Sequence, residues 1–214
     1  MPNLVFVIGV AATGKSYFIK QRYEEKNVDI LDVYDYQQRA YDEAGFGEMI
    51  PVEKQFRCLM SANTKLLDDI VERLKKGRDV VVEQTFFKAK RRIAYIDEIR
   101  KIPNVRIEMY VMCPGEEQWK KNLKKRDLGR NFEYYKALKK EMEFPNVAEG
   151  IDEIYEVVDS EIRLRVELPR YEILEPAREE LAKEGEKIRL EDEERLKREN
   201  LLAGMKEYVV SENE

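Results

Sequence analysis

The apolar and polar positions of this chain alternate in a way that predicts an α/β fold. Short apolar runs predict strands at Leu4–Ile8, Val28–Val33, Asp79–Val82, Val105–Met112 and Ile154–Val158. Polar segments compatible with helices separate all five. Because helical connections between successive strands are typical of parallel sheets, we expect a doubly wound, five-stranded parallel sheet in a three-layer αβα arrangement.

The helical segments are less evenly marked than the strands. The clearest begins at Pro51, a residue suited to the first helical position, and ends at Gly77. Its apolar residues keep helical spacing, at Phe56, Leu59, Met60, Leu66, Leu67, Ile70 and Leu74. Further helices are predicted at Lys15–Glu25, Lys88–Ile102, Glu116–Lys125 and 131–143.

The pattern changes after Asp159. Residues Ile162–Leu168 alternate strictly between apolar and charged, which predicts an edge strand with one solvated face. Residues 175–208 are charge-dense and helical, with sparse apolar positions. They can form a solvated helix that packs a thin stripe on the domain, or a helix for self-association or a protein partner. We therefore divide the chain into a domain at 1–160 and a charged helical extension at 161–214.

Composition excludes several classes of function. The net charge of −5 argues against a protein that coats nucleic acid, although a local basic site remains compatible with it. The chain has no histidine, which excludes His-containing zinc sites and Ser-His or Cys-His nucleophiles. Cys58 and Cys113 are far apart and fit a reducing compartment. With a strand at the N-terminus and no long apolar window, we expect a cytoplasmic protein without a membrane segment.

One motif carries specific chemistry. Residues 9–16 read Gly-x-x-x-x-Gly-Lys-Ser between a predicted strand and a predicted helix, which is the phosphate-binding P-loop pattern. Gly9 and Gly14 allow positive φ angles and close approach of the backbone to a polyphosphate. Lys15 can contact the β- and γ-phosphates, and Ser16 can bind Mg²⁺. The motif predicts a nucleoside triphosphate site formed by Gly9, Ala11, Ala12, Thr13, Gly14, Lys15 and Ser16.

Carboxylates follow two other strands at the same end of the predicted sheet. Glu83 ends the third strand, where it can help to hold Mg²⁺, or can simply face water. Asp32 and Asp35 end the second strand, where either can accept a proton from an acceptor hydroxyl. The alternative for Asp35 is a helix cap.

Basic residues complete the candidate site. Arg126 and Arg130 are four residues apart and can close over a triphosphate as a lid. Arg91 and Arg92 begin a helix just beyond Thr85 and can hold a phosphate on the acceptor. Each pair can instead be an ordinary basic surface.

Residues 3–159 resemble the small P-loop kinases typified by polynucleotide 5′-hydroxyl kinases, with zeta-toxin-like and seryl-tRNA kinases as relatives. The resemblance rests on the P-loop, on Asp35 after the second strand, and on Glu83-Gln84-Thr85 followed by Arg91-Arg92. It continues through Cys113-Pro114, through the arginines at 126 and 130, and through 144–154 ahead of the last strand.

This resemblance implies roles for individual residues. Asp35 would deprotonate the acceptor hydroxyl, and Arg126 and Arg130 would grip the donor phosphates. The chain departs from the family pattern at Glu83, where the family has aspartate, and at Gln38, where it often has an acceptor-binding arginine. Arg39 is adjacent to Gln38 and can replace that arginine. One extra residue near Lys121–Arg126, compared with the family pattern, leaves Lys125 and Arg126 as alternatives for the first lid cation.

The sequence thus predicts an ATP- and Mg²⁺-dependent kinase that phosphorylates a hydroxyl group. The favoured acceptor is the 5′-hydroxyl of a nucleic acid, because of Thr85, Arg91 and Arg92 and the basic residues around them. A small-molecule kinase is the first alternative, and the acidic pI of about 5.3 favours it. A nucleotide-dependent interaction module working through 161–214 is the second alternative. Whether ATP or GTP is the donor stays open.

Overall fold

The computed structural model describes residues 1–45, 51–126 and 130–211. The strands are β1 Asn3–Ile8, β2 Asp29–Asp32, β3 Val80–Gln84, β4 Arg106–Met112, β5 Glu153–Val158 and β6 Glu161–Leu164. The α-helices are α1 Lys15–Tyr23, α2 Val33–Glu43, α3 Val52–Lys75, α4 Ala89–Ile99, α5 Glu116–Arg126, α6 Phe132–Lys140 and α7 Leu174–Ser211. Short 3₁₀ helices lie at Val147–Glu149 and Tyr171–Ile173.

All six strands form one sheet in the order β2-β3-β1-β4-β5-β6. The first five are parallel, and β6 pairs antiparallel with β5. This confirms the predicted α/β fold, and the predicted edge strand ends at Leu164 rather than at residue 168. Since β1 lies between β3 and β4, the strand order reverses at β1, and ligands of open α/β sheets bind at the carboxyl ends beside such a point.

Helices cover both faces of the sheet. The alternation within β3 shows the division, because Val80 and Val82 point into the larger core with α3 and α4, whereas Val81 points toward α1. In α3, Leu66 and Ile70 are fully buried in that larger core. The two cores hold the strands rigidly, which fixes where their carboxyl ends present polar side chains.

The C-terminal helix α7 packs against α4. Leu174 and Ala177 contact Ala89 and Ile93, and Arg178 forms two hydrogen bonds of 3.0 Å with Asp97. Further along α7, Leu190 and Leu196 are exposed. The helix therefore packs through a thin stripe, as the first of the two sequence interpretations expects. The side chains of residues 200–211 lie outside the part of the chain that the structure describes, as do residues 212–214. Across the described ranges, no helix is both long and apolar enough to cross a bilayer.

Candidate active site

The loop between β1 and α1 has the backbone of a phosphate cradle. Gly9 and Gly14 have φ angles of 148° and 99°, and Ala12 has 60°. A Cβ atom on Gly9 would lie 2.9 Å from Thr13 Oγ1 and 3.2 Å from the Met112 carbonyl oxygen, so only glycine fits there. Helix α1 begins at Lys15, which directs its N-terminal N–H groups toward the loop. This geometry fits a polyphosphate.

Lys15, Ser16 and Glu83 meet at the tips of β1 and β3. The Ser16 hydroxyl donates a hydrogen bond of 3.1 Å to Glu83 Oε1, and Lys15 Nζ lies 3.8 Å from the same oxygen. Lys15 Nζ also donates to the carbonyl oxygens of Gly9 and Val10, each at 3.2 Å. Lys15 and Glu83 are buried. The structure thus brings together three side chains that the sequence assigned to phosphate and Mg²⁺ binding.

Burial governs the electrostatics of this cluster. Burial raises the pKa of Glu83, and the nearby Asp32 carboxylate raises it further. Burial likewise raises the pKa of Asp32 and lowers that of Lys15. Two partly desolvated carboxylates therefore lie side by side at the tips of β2 and β3, with Lys15 between them and the phosphate loop. The Ser16 hydroxyl and the Glu83 carboxylate suit Mg²⁺, which protein sites hold with few side chains and with substrate phosphates.

The end of β2 brings two aspartates to the same edge of the sheet. Asp32 is directly opposite Glu83 in the strand register, so their side chains belong to adjacent strand tips. Its carboxylate caps α2 by accepting a hydrogen bond of 3.0 Å from the Tyr34 N–H. Asp35 lies in the first turn of α2 and is exposed. The Asp32 carboxylate is thus engaged as the cap of α2, whereas the Asp35 carboxylate is exposed to solvent.

Two residues of α5 that the sequence did not single out hold the phosphate loop. Trp119 is buried and donates through Nε1 to the Ala11 carbonyl oxygen at 3.0 Å. Asn122 Nδ2 donates to the Ala12 carbonyl oxygen at 3.1 Å. These two hydrogen bonds attach the phosphate loop to α5 through its carbonyl groups. The i, i+3 spacing of the two residues on one helix face was the only signal available.

Arg126, the first of the two proposed lid arginines, ends α5. Its charge partly offsets the burial that raises the pKa of Asp32 and Glu83, so Arg126 lies close enough to act on this cluster. Arg130 is exposed, with its guanidinium 5.4 Å from the centre of the Tyr134 ring. The expectation that Arg126 and Arg130 share one helix face depends on residues 127–129, which lie outside the described residues.

The predicted role of Arg92 in acceptor binding is wrong, because the side chain is completely buried. Its guanidinium donates to both carboxylate oxygens of Glu149, at 2.6 and 2.7 Å, and to the carbonyl oxygens of Phe86 and Glu143. These bonds fix the start of α4 to the segment ahead of β5. Arg92 is therefore a structural residue.

The basic surface expected around Lys90 and Arg91 is neutralised by α7. Lys90 Nζ lies 2.6 Å from Glu180 and 2.5 Å from Glu184, and Arg91 lies 3.3 Å from Glu184. The pKa of Lys90 is raised by its hydrogen bonds to these two glutamates. An open basic patch at the start of α4, which the sequence favoured, is thus closed by acidic side chains of the same chain.

The remaining predicted acceptor residues lie on β3 and α2. Thr85 follows β3, and its N–H and hydroxyl groups both donate to the Gln84 amide oxygen. Gln38 is exposed and donates to Asp42 at 2.9 Å. Arg39 is exposed and lies over the Tyr36 ring. Arg39 is therefore accessible to solvent on α2, one turn beyond Asp35.

Together, a phosphate cradle after the central strand and carboxylates at neighbouring strand tips define a P-loop nucleotide-binding protein with a kinase-like α/β fold. A family model described as an AAA domain matches residues 4–144. The chain therefore belongs to this family, AAA_33. No curated protein matches the chain significantly.

Solved structures share the fold. A candidate kinase from Chloroflexus aurantiacus has a TM-score of 0.55 and 15% identity, over 67% of this chain and 81% of that chain. The PezAT toxin–antitoxin system of Streptococcus pneumoniae has a TM-score of 0.53 and 12% identity, over 81% and 77%. The Pnkp1/Rnl/Hen1 RNA repair complex reaches only 0.48, with 18% identity over 66% and 43%, and is too distant to indicate an acceptor.

Proposed function

We propose that the protein is an ATP- and Mg²⁺-dependent kinase that transfers the γ-phosphoryl group to a hydroxyl group. One observation carries this proposal: the contact of Ser16 and Lys15 with Glu83 lies beside the β2 tip that ends in Asp32, and Asp35 follows in the first turn of α2. Phosphoryl transfer needs a held triphosphate, neutralised charge and an acceptor placed in line. Residues that could meet each of these three needs lie at one edge of the sheet.

Each residue of the cluster has a distinct task in this proposal. The N–H groups of the phosphate loop and the Lys15 ammonium group bind the phosphates, and Ser16 and Glu83 would hold the Mg²⁺ ion. Bound Mg²⁺ neutralises charge on the phosphate oxygens. Asp35 accepts the proton of the acceptor hydroxyl, since Asp32 is engaged as the cap of α2. Arg126 supplies positive charge that stabilises the negative charge on the phosphate oxygens in the transition state.

A transfer assay with labelled ATP and matched variants tests the kinase proposal. Lys15→Ala should lower the rate at least about 100-fold, since a contact with developing charge contributes about 3 kcal/mol. Lys20→Ala is the control, because Lys20 is an exposed lysine of the same helix, paired with Glu24. Asp35→Asn should abolish transfer and leave ATP binding intact, whereas Asp42→Asn on the same helix should leave both transfer and ATP binding intact. Full transfer by Asp35→Asn would refute its role as the base.

The acceptor is the second part of the proposal, and here the structure shifts the balance. The sequence favoured a nucleic acid 5′-hydroxyl because of Arg91 and Arg92, but Arg92 is buried and Arg91 is paired with Glu184. Arg39, Arg126 and Arg130 are exposed, as are Lys121, Lys124 and Lys125 on α5. Without the Arg91 and Arg92 surface that motivated a nucleic acid, we favour a small hydroxyl compound, such as a sugar or nucleoside, over a polyanion.

Competing acceptors in one assay separate these two candidates. Transfer to a nucleoside or sugar, with a Michaelis constant that changes little with salt, would support the small-molecule acceptor. Transfer to a 5′-hydroxyl oligonucleotide, with a Michaelis constant that rises steeply with salt, would support the nucleic acid acceptor, because polyanion binding weakens as salt increases. Slow ATP hydrolysis with no acceptor at all would support a nucleotide-dependent interaction module instead.

A further inference from the structure

Three cations on two different helices form one basic surface. Arg57 lies on α3, and Lys90 and Arg91 lie in the first turn of α4. Within the described residues, every ion pair of these three cations is with α7. One helix thus supplies the counter-ions for cations that two other helices bring together.

The partners on α7 form an acidic face that consists of Glu180, Glu184 and Asp192. Lys90 Nζ lies 2.6 Å from Glu180 and 2.5 Å from Glu184, and its side chain is only 17% exposed. At the other end of the face, Arg57 lies 3.4 Å from Asp192. Cations gathered in this way repel one another unless anions lie among them, so the basic surface needs anionic partners.

The basic surface lies beyond the tip of β3, at the same edge of the sheet as the candidate active site. Gln84, the last residue of β3, donates to Asn63 Oδ1 of α3 at 3.3 Å. Since α3 runs back to the start of β3, its earlier residues lie past the strand tip. At 1.5 Å per residue, Arg57 is about 9 Å beyond Asn63 along the helix. Helix α4 begins at Ala89, shortly after the same tip.

The distal part of α7 is attached to the domain through charges. Leu174 and Ala177 pack against α4, and both precede the acidic face. Among residues 189–199, every side chain except Asp192 is exposed. Exposed ion pairs each contribute little to stability, and salt screens them. A ligand that offers more negative charge can therefore displace this part of the helix.

We propose that the basic surface binds a chain of phosphates, and that the acidic face of α7 competes with this ligand as an internal anion. Arginine guanidinium groups bind phosphate in a bidentate manner, and cations spread over two helices suit several phosphates in a row. An external ligand must overcome an acidic face that is tethered in place, and a phosphate chain gains affinity from the counter-ions that it releases. Such binding requires no phosphoryl transfer, so it is independent of the proposed function.

Binding of a fluorescent single-stranded oligonucleotide to the full chain tests this surface. The unmasked variant, Glu180→Gln/Glu184→Gln/Asp192→Asn, should bind more tightly than the parent at low salt. Its affinity should fall about 20-fold more than that of the parent between 50 and 200 mM salt, because each neutralised phosphate of a single strand adds about 0.7 to the salt slope and three cations are released.

A matched control separates the basic surface from the net charge. Glu186→Gln/Glu191→Gln/Glu194→Gln also removes three carboxylates from α7, but these have no ion pair with α3 or α4 in the described part of the chain. This control should bind as weakly as the parent. Circular dichroism should show the parental helix content in both variants, since glutamine is a good helix former. Equal binding by the control and the unmasked variant would overturn the proposal.

A second set of substitutions locates the bound ligand. Adding Arg57→Gln, Lys90→Gln and Arg91→Gln to the unmasked variant should return its affinity to that of the parent. An unmasked variant that binds no better than the parent, or one that keeps its affinity after these substitutions, would refute the basic surface.

Hydrogen exchange on the parent protein tests the displacement of α7. Saturating oligonucleotide should speed amide exchange at 180–192 but not at 174–178, because a detached helix of this length is marginal in water. Unchanged exchange with the ligand bound would show that α7 does not compete. Inorganic polyphosphate as a competitor identifies the source of the phosphates. Displacement of the oligonucleotide would assign the surface to phosphate chains in general, and no displacement would assign it to nucleic acid.

Discussion

Replacing Arg92 by leucine is the sharpest test of how the structure assigns this residue. The guanidinium is fully buried and donates to Glu149, Phe86 and Glu143. Removing it leaves the Glu149 carboxylate, itself buried, without its counter-ion. Breaking a buried ion pair from one side costs about 3 to 5 kcal/mol, because the remaining charge stays desolvated and unpaired. Since domains of this size have a total stability of about 5 to 15 kcal/mol, Arg92→Leu should be strongly destabilised.

Urea unfolding followed by circular dichroism measures this loss. Arg91→Leu is the matched control, because Arg91 is 41% exposed and forms one surface ion pair, so its loss should cost less than about 1 kcal/mol. The double variant Arg92→Leu/Glu149→Leu should be less destabilised than Arg92→Leu, since no unpaired charge remains. If Arg92→Leu keeps the parent's stability and instead raises the Michaelis constant of the acceptor, Arg92 faces the substrate and the assignment is refuted.

Three further predictions follow from contacts of the site and of the helices around it. Trp119→Phe keeps the ring packing but removes the bond to the Ala11 carbonyl group, so ATP should bind about fivefold more weakly, equivalent to about 1 kcal/mol. Lys121→Ala on the same helix is its calorimetric control, and equal affinities would contradict the role. Burial and the hydrogen bond to Asp69 raise the pKa of Tyr36 to about 12. Because the folded state holds this proton more tightly, its stabilising effect is present below about pH 10 and is lost as pH rises through about 12. Tyr36→Phe should therefore lose less unfolding free energy than the parent over that range, and parallel pH profiles would count against this reasoning. Ending the chain at Ile173 exposes Ala89 and Ile93, so Tm should fall by several degrees, and an unchanged Tm would mean that α7 does not stabilise the domain.

The sequence predicts those parts of the fold that local pattern determines. The apolar run at Val80–Val82 shows a buried strand because both its faces meet helices, and the Gly9–Ser16 motif identifies the phosphate loop because few other residues fit such a backbone. Only spatial neighbours far along the chain decide the rest. Arg92 pairs with a residue 57 positions away, and Trp119 bonds a loop 108 positions away. No local pattern distinguishes a buried arginine at the start of a helix from an exposed one.

The attachment of α5 to the phosphate loop has a mechanical consequence. Trp119 and Asn122 fix the first half of the helix to the carbonyl groups of Ala11 and Ala12, and Arg126 is the last residue of the same continuous helix. At 1.5 Å per residue, Arg126 lies about 10 Å beyond Trp119 along the axis. Because one helix carries both the loop contacts and Arg126, a change of about 10° in the orientation of α5 at Trp119 would displace Arg126 by roughly 2 Å.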